Sequence, residues 1–284
     1  MMLDPLLRHA VALAFPGAPV SDLRQTTGGF SHRSAIVTIG WERCVVKWAE
    51  QPGRRDDLRR EAAVLDAIGG SLPVPHLIAL VDDERVTATI ARFVPGAHGI
   101  AWYSDSPIRL IRACEDLGTT LRRVHRSGYE SAYEPLPPRF SRAAVALGEL
   151  AIDDGERRVL ADALAHPAWR GDAGLVHGDA GLHNTLWWNS QLSALLDWEW
   201  AGWGPPLLDI AWVSWTLRFR DAPAAARDAL LRGYGNLPPA AAGWERALVF
   251  GQIAALLLRS QRSADATAEW TRRLRWTIES DGAP

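Results

Sequence analysis

The sequence predicts an α+β chain of two unequal lobes: a small antiparallel sheet with one key helix, then a larger, mostly helical lobe. Three observations carry this expectation. Up to about residue 93, short apolar runs come in pairs separated by turn residues. From Ser106 onward, apolar residues recur at helical spacing, with Gly and Pro between the segments. Between these regions Val94-Pro95-Gly96 breaks both patterns, which sets the expected lobes at 1–94 and 95–284. A cleft between two lobes is a natural ligand site.

Each element has a local reason. Asp4 to Ala14 reads as an N-terminal helix. Ser34 to Ile39 and Arg43 to Trp48 flank Gly40 as a hairpin. Asp56 to Ile68 places Leu58, Ala62, Leu65 and Ile68 on one helical stripe, stopped by Gly69-Gly70. Leu77 to Val81 and Arg85 to Phe93 form a second strand pair around Asp82-Asp83-Glu84. Ser106 is placed to cap a helix that Pro107 opens, and Ile111, Leu117, Leu121 and Val124 carry its stripe to Gly128. Residues 130–138, with Pro135, Pro137 and Pro138, read as a loop. Helical patterning recurs over 139–151, 156–166, 207–220, 222–234, 243–261 and 265–279, and only a hairpin over 185–197 is expected to interrupt it.

The totals exclude some functions. With 31 basic and 33 acidic residues among 284, the chain lacks the basic excess of a nucleic-acid or membrane-surface binder. No basic start leads into a long apolar run, and no apolar stretch approaches the ~20 residues that a membrane span needs. Cys44 and Cys114 sit in apolar segments and read as reduced core residues. The expectation is a cytoplasmic protein, monomeric or homodimeric. Fourteen tryptophans are many for this length, and seven fall between Trp187 and Trp215. Core packing is the plain reading of them, and stacking on a sugar-like or cationic ligand is the other.

The stretch from His177 to Asp197 carries the most chemistry. It reads His-Gly-Asp-Ala-Gly-Leu-His-Asn, then a hairpin, then Asp197. If Asn189 pairs with Leu192, the ladder sets Asn184 opposite Asp197, with Cβ atoms roughly 4.5–5.5 Å apart. A carboxamide oxygen and a carboxylate at that spacing suit a small hard cation such as Mg2+. Asp179 then remains to accept a proton from a substrate hydroxyl, and His177 orients the loop. Metal-bridged phosphate beside a positioned base is what phosphoryl transfer requires. A metal cluster of His177, Asp179 and His183 lacks further ligands at suitable spacing. No serine sits on a Gly-x-Ser-x-Gly elbow.

Three weaker features precede that stretch. Thr26-Thr27-Gly28-Gly29-Phe30-Ser31 leads into the first hairpin, and its glycines either turn amides toward an anion or make a plain turn. Lys47 shares a strand face with Val45 and Ala49, where it either snorkels or finds a partner. Glu61 lies three residues after Leu58 and four before Leu65, flanking the apolar stripe, so it is placed to pair with Lys47 and hold it over nucleotide phosphates. A plain surface ion pair is the alternative.

Taken together, these motifs resemble the aminoglycoside phosphotransferase/choline kinase-like family, relatives of the protein kinases. The similarity rests on LVHGDAGLHNTLWW and LLDWEWAGWGPPLLDIAW and extends over residues 20 to about 260. It implies a bilobal protein-kinase-like fold, ATP or GTP with Mg2+, and transfer of the γ-phosphoryl group to a small-molecule hydroxyl. By resemblance, Asp179 would be the base, and Asn184 and Asp197 the metal ligands. Lys47 would contact phosphates, Glu61 would hold it, and Gly28, Gly29, Phe30 and Ser31 would cover the phosphates. Ala91, Arg92, Phe93 and Val94 would hinge the lobes and meet the purine edge, and Asp209 would support the catalytic loop. The chain departs from its relatives at His32, where many have Asn. It also departs at Trp198-Glu199, after the metal Asp, and at Pro205-Pro206, in place of a Gly-Asp-Pro turn.

The expected acceptor is an aminoglycoside, which would make the chain an antibiotic-resistance enzyme. Asp153, Asp154, Glu156 and Glu199 are the candidate contacts, and a solvated helix start is the plain reading of the first three. A macrolide, an amino sugar, choline or ethanolamine, or homoserine also fits. A catalytically silent nucleotide-binding module is a further alternative. A protein kinase fits poorly, because only eleven residues separate Asp197 from Asp209.

Overall fold

The computed structural model describes residues 4–25, 33–128, 136–170, 172–235, 237, 243–261 and 263–281. Its first lobe is built on a five-stranded antiparallel sheet in the order β1-β2-β3-β5-β4. The strands are β1 (Val20–Gln25), β2 (Arg33–Ile39), β3 (Glu42–Ala49), β4 (Leu77–Asp82) and β5 (Thr87–Arg92). Helix α1 (Pro5–Ala14) begins at Asp4, whose carboxylate accepts the amide of Leu6 at 2.9 Å. Leu7, Ala10 and Val11 of α1 pack on Val37, Val46, Trp48 and Ile90 of the sheet. Period-two alternation in β3 sends Cys44, Val46 and Trp48 into that core and leaves Val45 and Lys47 on the other face. Helix α2 (Pro52–Ile68) crosses between β3 and β4. It starts earlier than its apolar stripe predicts because Pro52 suits the first turn.

The larger lobe is helical. It contains α3 (Trp102–Asp105), α4 (Pro107–His125), α5 (Leu136–Ala146), α6 (Asp154–Ala165), α7 (Leu207–Phe219), α8 (Ala224–Tyr234), α9 (Trp244–Ser260) and α10 (Ala264–Asp281). Ser106 takes the cap position of α4, but its hydroxyl makes no capping bond. The loop expected over 130–138 is cut short by α5, which begins at Leu136, and 129–135 lie outside the described residues. Helices α4 and α8 cross closely: a methyl on Gly233 would collide with the Glu115 carbonyl, and one on Gly118 with that of Leu230.

Helix α7 is buried all round, between two apolar cores. Ile210, Val213 and Leu217 face the core of α4 and α8. Leu208, Ala211, Trp212 and Trp215 face that of α5, α6, α9 and α10. Most of the tryptophans are core residues of this kind, and Trp212 stacks on Trp215 with centroids 4.6 Å apart. Trp41 and Trp188 are the exposed exceptions among the described residues.

More than one hairpin interrupts the helices. Strand β6 (Ala97–His98), just beyond Gly96, adds to the hairpin of β8 (Thr185–Trp188) and β9 (Gln191–Leu195). Strands β7 (Gly174–Val176) and β10 (Gly202–Gly204) form a second small sheet. The hairpin register also differs from the expected one. Trp188 pairs with Gln191 across Asn189-Ser190, both at positive φ, and a bulge follows between Leu186 and Trp187. The Leu196 amide consequently donates to the Asn184 carbonyl at 2.7 Å, so Asn184 opposes Leu196 and Asp197 lies one residue beyond.

Cys44 and Cys114 are free and buried, and burial pushes their thiols up to about 11 and about 12. Among the described residues no helix is long and apolar enough to cross a membrane.

Candidate active site

The loop after β7 is held by a buried carboxylate. Asp209, in the first turn of α7, is fully buried. Its Oδ2 accepts the His177 amide at 2.8 Å and His125 Nε2 at 2.9 Å, and its Oδ1 accepts the Gly178 amide at 2.9 Å. Burial by itself would raise this carboxyl's pKa, but the His125 ring, aided by the His177 amide, holds it below the usual carboxylate range. Gly178 has φ +81°, and a methyl there would strike the Trp200 carbonyl. Its own carbonyl accepts from Gln252 Nε2 of α9 at 2.6 Å. His177 is fully buried, and its Nδ1 accepts the Asp179 amide at 3.2 Å. The proton therefore sits on Nε2, which donates to the Leu196 carbonyl at 2.8 Å. One imidazole thus ties the loop to the strand that leads into Asp197.

This frame presents Asp179 about one-quarter exposed. Its Oδ1 accepts from Trp212 Nε1 at 2.9 Å, and its Oδ2 accepts from Asn184 Nδ2 at 3.1 Å. The same Nδ2 donates to the Asp179 carbonyl at 2.9 Å, which leaves Asn184 Oδ1 as the amide's acceptor atom. Asp197 adopts a left-handed conformation (φ 66°, ψ 62°), uncommon for a residue with a side chain. Its Oδ1 accepts from Lys47 Nζ at 3.0 Å, and Lys47 also donates to Glu61 Oε1 at 2.6 Å. Burial opposes the lysine's charge, but the carboxylates of Asp197 and Glu61 outweigh it and raise its pKa above the usual range. The structure thus brings together Lys47, Glu61 and Asp197, and separately Asp179 and Asn184. His177 and the Asn184–Leu196 backbone bond join the two groups.

The donor set suits one kind of metal. Among the described residues no three His, Cys, Asp or Glu side chains are grouped to hold an ion. An amide oxygen and one carboxylate are hard ligands that fill few positions. That matches Mg2+, which keeps waters and takes substrate phosphates.

Of the remaining expected site residues, some fall outside the described residues and others make contacts of their own. Gly28, Gly29, Phe30 and Ser31 lie outside the described residues. Ala91 is nearly buried at the end of β5. The Arg92 side chain is exposed and pairs with Glu42, and Phe93 lies under the Arg43 guanidinium at 4.0 Å. The amides of Arg92 and Phe93 donate to the carbonyls of His76 and Arg43. The acidic candidates for acceptor binding are largely committed. Asp153 and Glu156 form a capping box at the start of α6, and Glu156 also takes Arg275 at 2.6 Å. Asp154 is exposed on that first turn. Glu199 is buried and paired with Arg259 at 2.8 Å.

Sequence reasoning missed Trp212, His125 and Gln252. Trp212 carried a signal: it lies three residues after Asp209, on the same helix face.

Among curated proteins none matches the sequence. Solved structures do match over nearly the whole chain. A thermostable mutant of aminoglycoside phosphotransferase APH(4)-Ia, in ternary complex with AMP-PNP and hygromycin B, has a TM-score of 0.71 at 18% identity, covering 99% of this chain and 100% of that one. The apoenzyme of macrolide 2'-phosphotransferase MphH from Brachybacterium faecium has a TM-score of 0.64 at 22% identity, covering 96% and 98%. A gentamicin complex of APH(2")-IIa has a TM-score of 0.70 at 14% identity, covering 96% of each chain. These likenesses establish a kinase-like fold of sheet lobe and helical lobe. The sequence model of the phosphotransferase enzyme family matches residues 22–250, most of the chain, and the chain belongs to that family.

Proposed function

We propose that the chain transfers the γ-phosphoryl group of ATP or GTP to a hydroxyl of an aminoglycoside-like small molecule, bound between lobes 1–94 and 95–284. The observation that carries this reading is Asp179, partly exposed and fixed through both carboxylate oxygens by Trp212 and Asn184, on a loop that His177 ties to the segment leading into Asp197 and its Lys47 pair. Asp179 takes the proton of the acceptor hydroxyl as that oxygen bonds to the γ-phosphorus. The bond from phosphorus to the β–γ bridging oxygen breaks, and the nucleoside diphosphate leaves. Asn184 Oδ1 and Asp197 would hold Mg2+, which when bound neutralises charge on the phosphate oxygens. Lys47, kept charged and oriented by Glu61, meets the phosphates. With the Arg92 and Phe93 amides already donating within the lobe, a purine edge is met by the hinge carbonyls and the Val94 amide.

The acceptor is tested by a nucleotide-consumption screen against aminoglycosides, macrolides, amino sugars and amino alcohols, with Asp179→Asn as the blank. Asp179→Asn is expected to cut turnover by roughly 10²–10⁴ while leaving nucleotide binding intact, the loss of a general base. Normal turnover in that variant removes Asp179 from the role. Commitment of Asp153, Glu156 and Glu199 to other partners weakens the case for a polycationic acceptor, and the likeness to MphH supports a macrolide as second reading.

A further inference from the structure

We propose that Arg259 is a positioning residue that latches α2 to the segment after Asp197 and so sets the Lys47–Glu61 pair. The proposal rests on the kinase reading above for its consequence, though not for its geometry. Arg259 is near the end of α9 in the larger lobe. Its Nη2 lies 2.9 Å from Asp57 Oδ2 of α2 and 2.8 Å from Glu199 Oε1, two residues beyond Asp197. Its guanidinium also sits 4.6 Å over the ring of Trp200. From the other side, Arg60 Nη1 of α2 lies 3.1 Å from Asp57 Oδ1 and donates to the Glu199 carbonyl at 2.9 Å. Arg54 approaches Asp57 at 3.8 Å.

Placement on α2 gives these contacts their leverage. Asp57 and Glu61 are four residues apart and share a helix face. The C-terminal half of α2 is fixed by apolar packing, with Val64, Leu65 and Ile68 in the core around α4. The half carrying Asp57 and Glu61 meets the larger lobe through Arg259, Arg60 and the turn over Trp198–Trp200. Asp57, Arg60 and Glu199 are each less than one-fifth exposed, so water screens their attraction little. If the latch opens, Glu61 moves with α2 and Lys47 keeps only Asp197. An ion pair that contributed stability alone would leave Lys47 and nucleotide affinity unmoved.

The discriminating variant is Asp57→Asn. It removes the charge through which Arg259 holds α2, while the Arg259–Glu199 pair and the Arg60 bond to the Glu199 carbonyl remain, so Glu199 is not left buried without its arginine. Two measurements are made on the full chain: AMP-PNP affinity by calorimetry, and amide hydrogen exchange resolved to α2 and α9. AMP-PNP is expected to bind about tenfold more weakly, a typical coupling between linked sites. Exchange is expected to quicken in the first turns of α2 and to stay constant in α9. Unchanged exchange in α2, or an equal rise in α9, overturns the latch. Faster α2 exchange with unchanged AMP-PNP affinity overturns its link to Lys47. Failure of the unsubstituted chain to bind AMP-PNP would instead fall on the kinase reading, and the exchange comparison would still decide the latch.

Discussion

Asp209→Asn probes the frame beneath the loop that carries Asp179. In the native site, Oδ2 accepts two donors, the His177 amide and His125 Nε2, and Oδ1 accepts the Gly178 amide. Asparagine offers one oxygen and one NH2 group. With its oxygen at the Oδ2 position it keeps His177 and His125, but the NH2 then faces the Gly178 N–H, donor against donor. One buried amide loses its acceptor, which costs about 1–3 kcal/mol, and the two surviving bonds lose the charge that strengthened them, about 1 kcal/mol more. The expected loss is about 2–4 kcal/mol in urea unfolding at pH 7, followed by tryptophan fluorescence. Turnover is expected to fall as well, because Gly178 immediately precedes Asp179. The pH dependence has a definite sign. Asp209's pKa is held low, so its contribution is complete above the unfolded value of about 3.9 and is lost as pH falls through the folded one. The gap between the two proteins should hold from neutral pH to about 5 and close only below about 4. A gap under about 0.5 kcal/mol with unchanged turnover would refute the assignment of Asp209 as the brace.

Two further substitutions test neighbouring claims. Trp212→Phe keeps the ring and removes the indole donor to Asp179 Oδ1, so kcat should fall about tenfold with the nucleotide KM unchanged, read by steady-state kinetics. A higher nucleotide KM with normal kcat would contradict the role. Asp153→Ala removes the α6 cap and should lower stability by about 1 kcal/mol without moving the acceptor KM. A rise in that KM would restore Asp153 as an acceptor contact.

What the sequence revealed, and what it hid, follows from the range of the interactions. The β2–β3 hairpin, the α2 stripe and the Asp153-x-x-Glu156 helix start are set by neighbours within a few residues, and periodicity and turn chemistry report such contacts directly. Lys47 and Glu61 were legible one step further out, because each shares a face with an apolar row that must pack against the other's element. The β8–β9 register was not legible. Its turn uses Asn189-Ser190 at positive φ without a glycine, and the bulge that follows leaves no mark in an alternating pattern. The partners of Glu199 were hidden for a related reason. A carboxylate two residues after Asp197 reads as open to a cationic substrate, yet Arg259 reaches it from α9 and Arg60 of α2 reaches its carbonyl, and no local pattern announces either. Trp212 lies between these cases. Helical spacing ties it to Asp209, yet its bulk also fits the core between α7 and α10, so composition alone favours packing. Its ring does pack there, while its single N–H fixes the carboxylate proposed as base. The residues that hold this site are thus mostly buried, each with a polar atom turned to the loop or to its brace. Their function becomes visible only when the fold brings that atom to the loop.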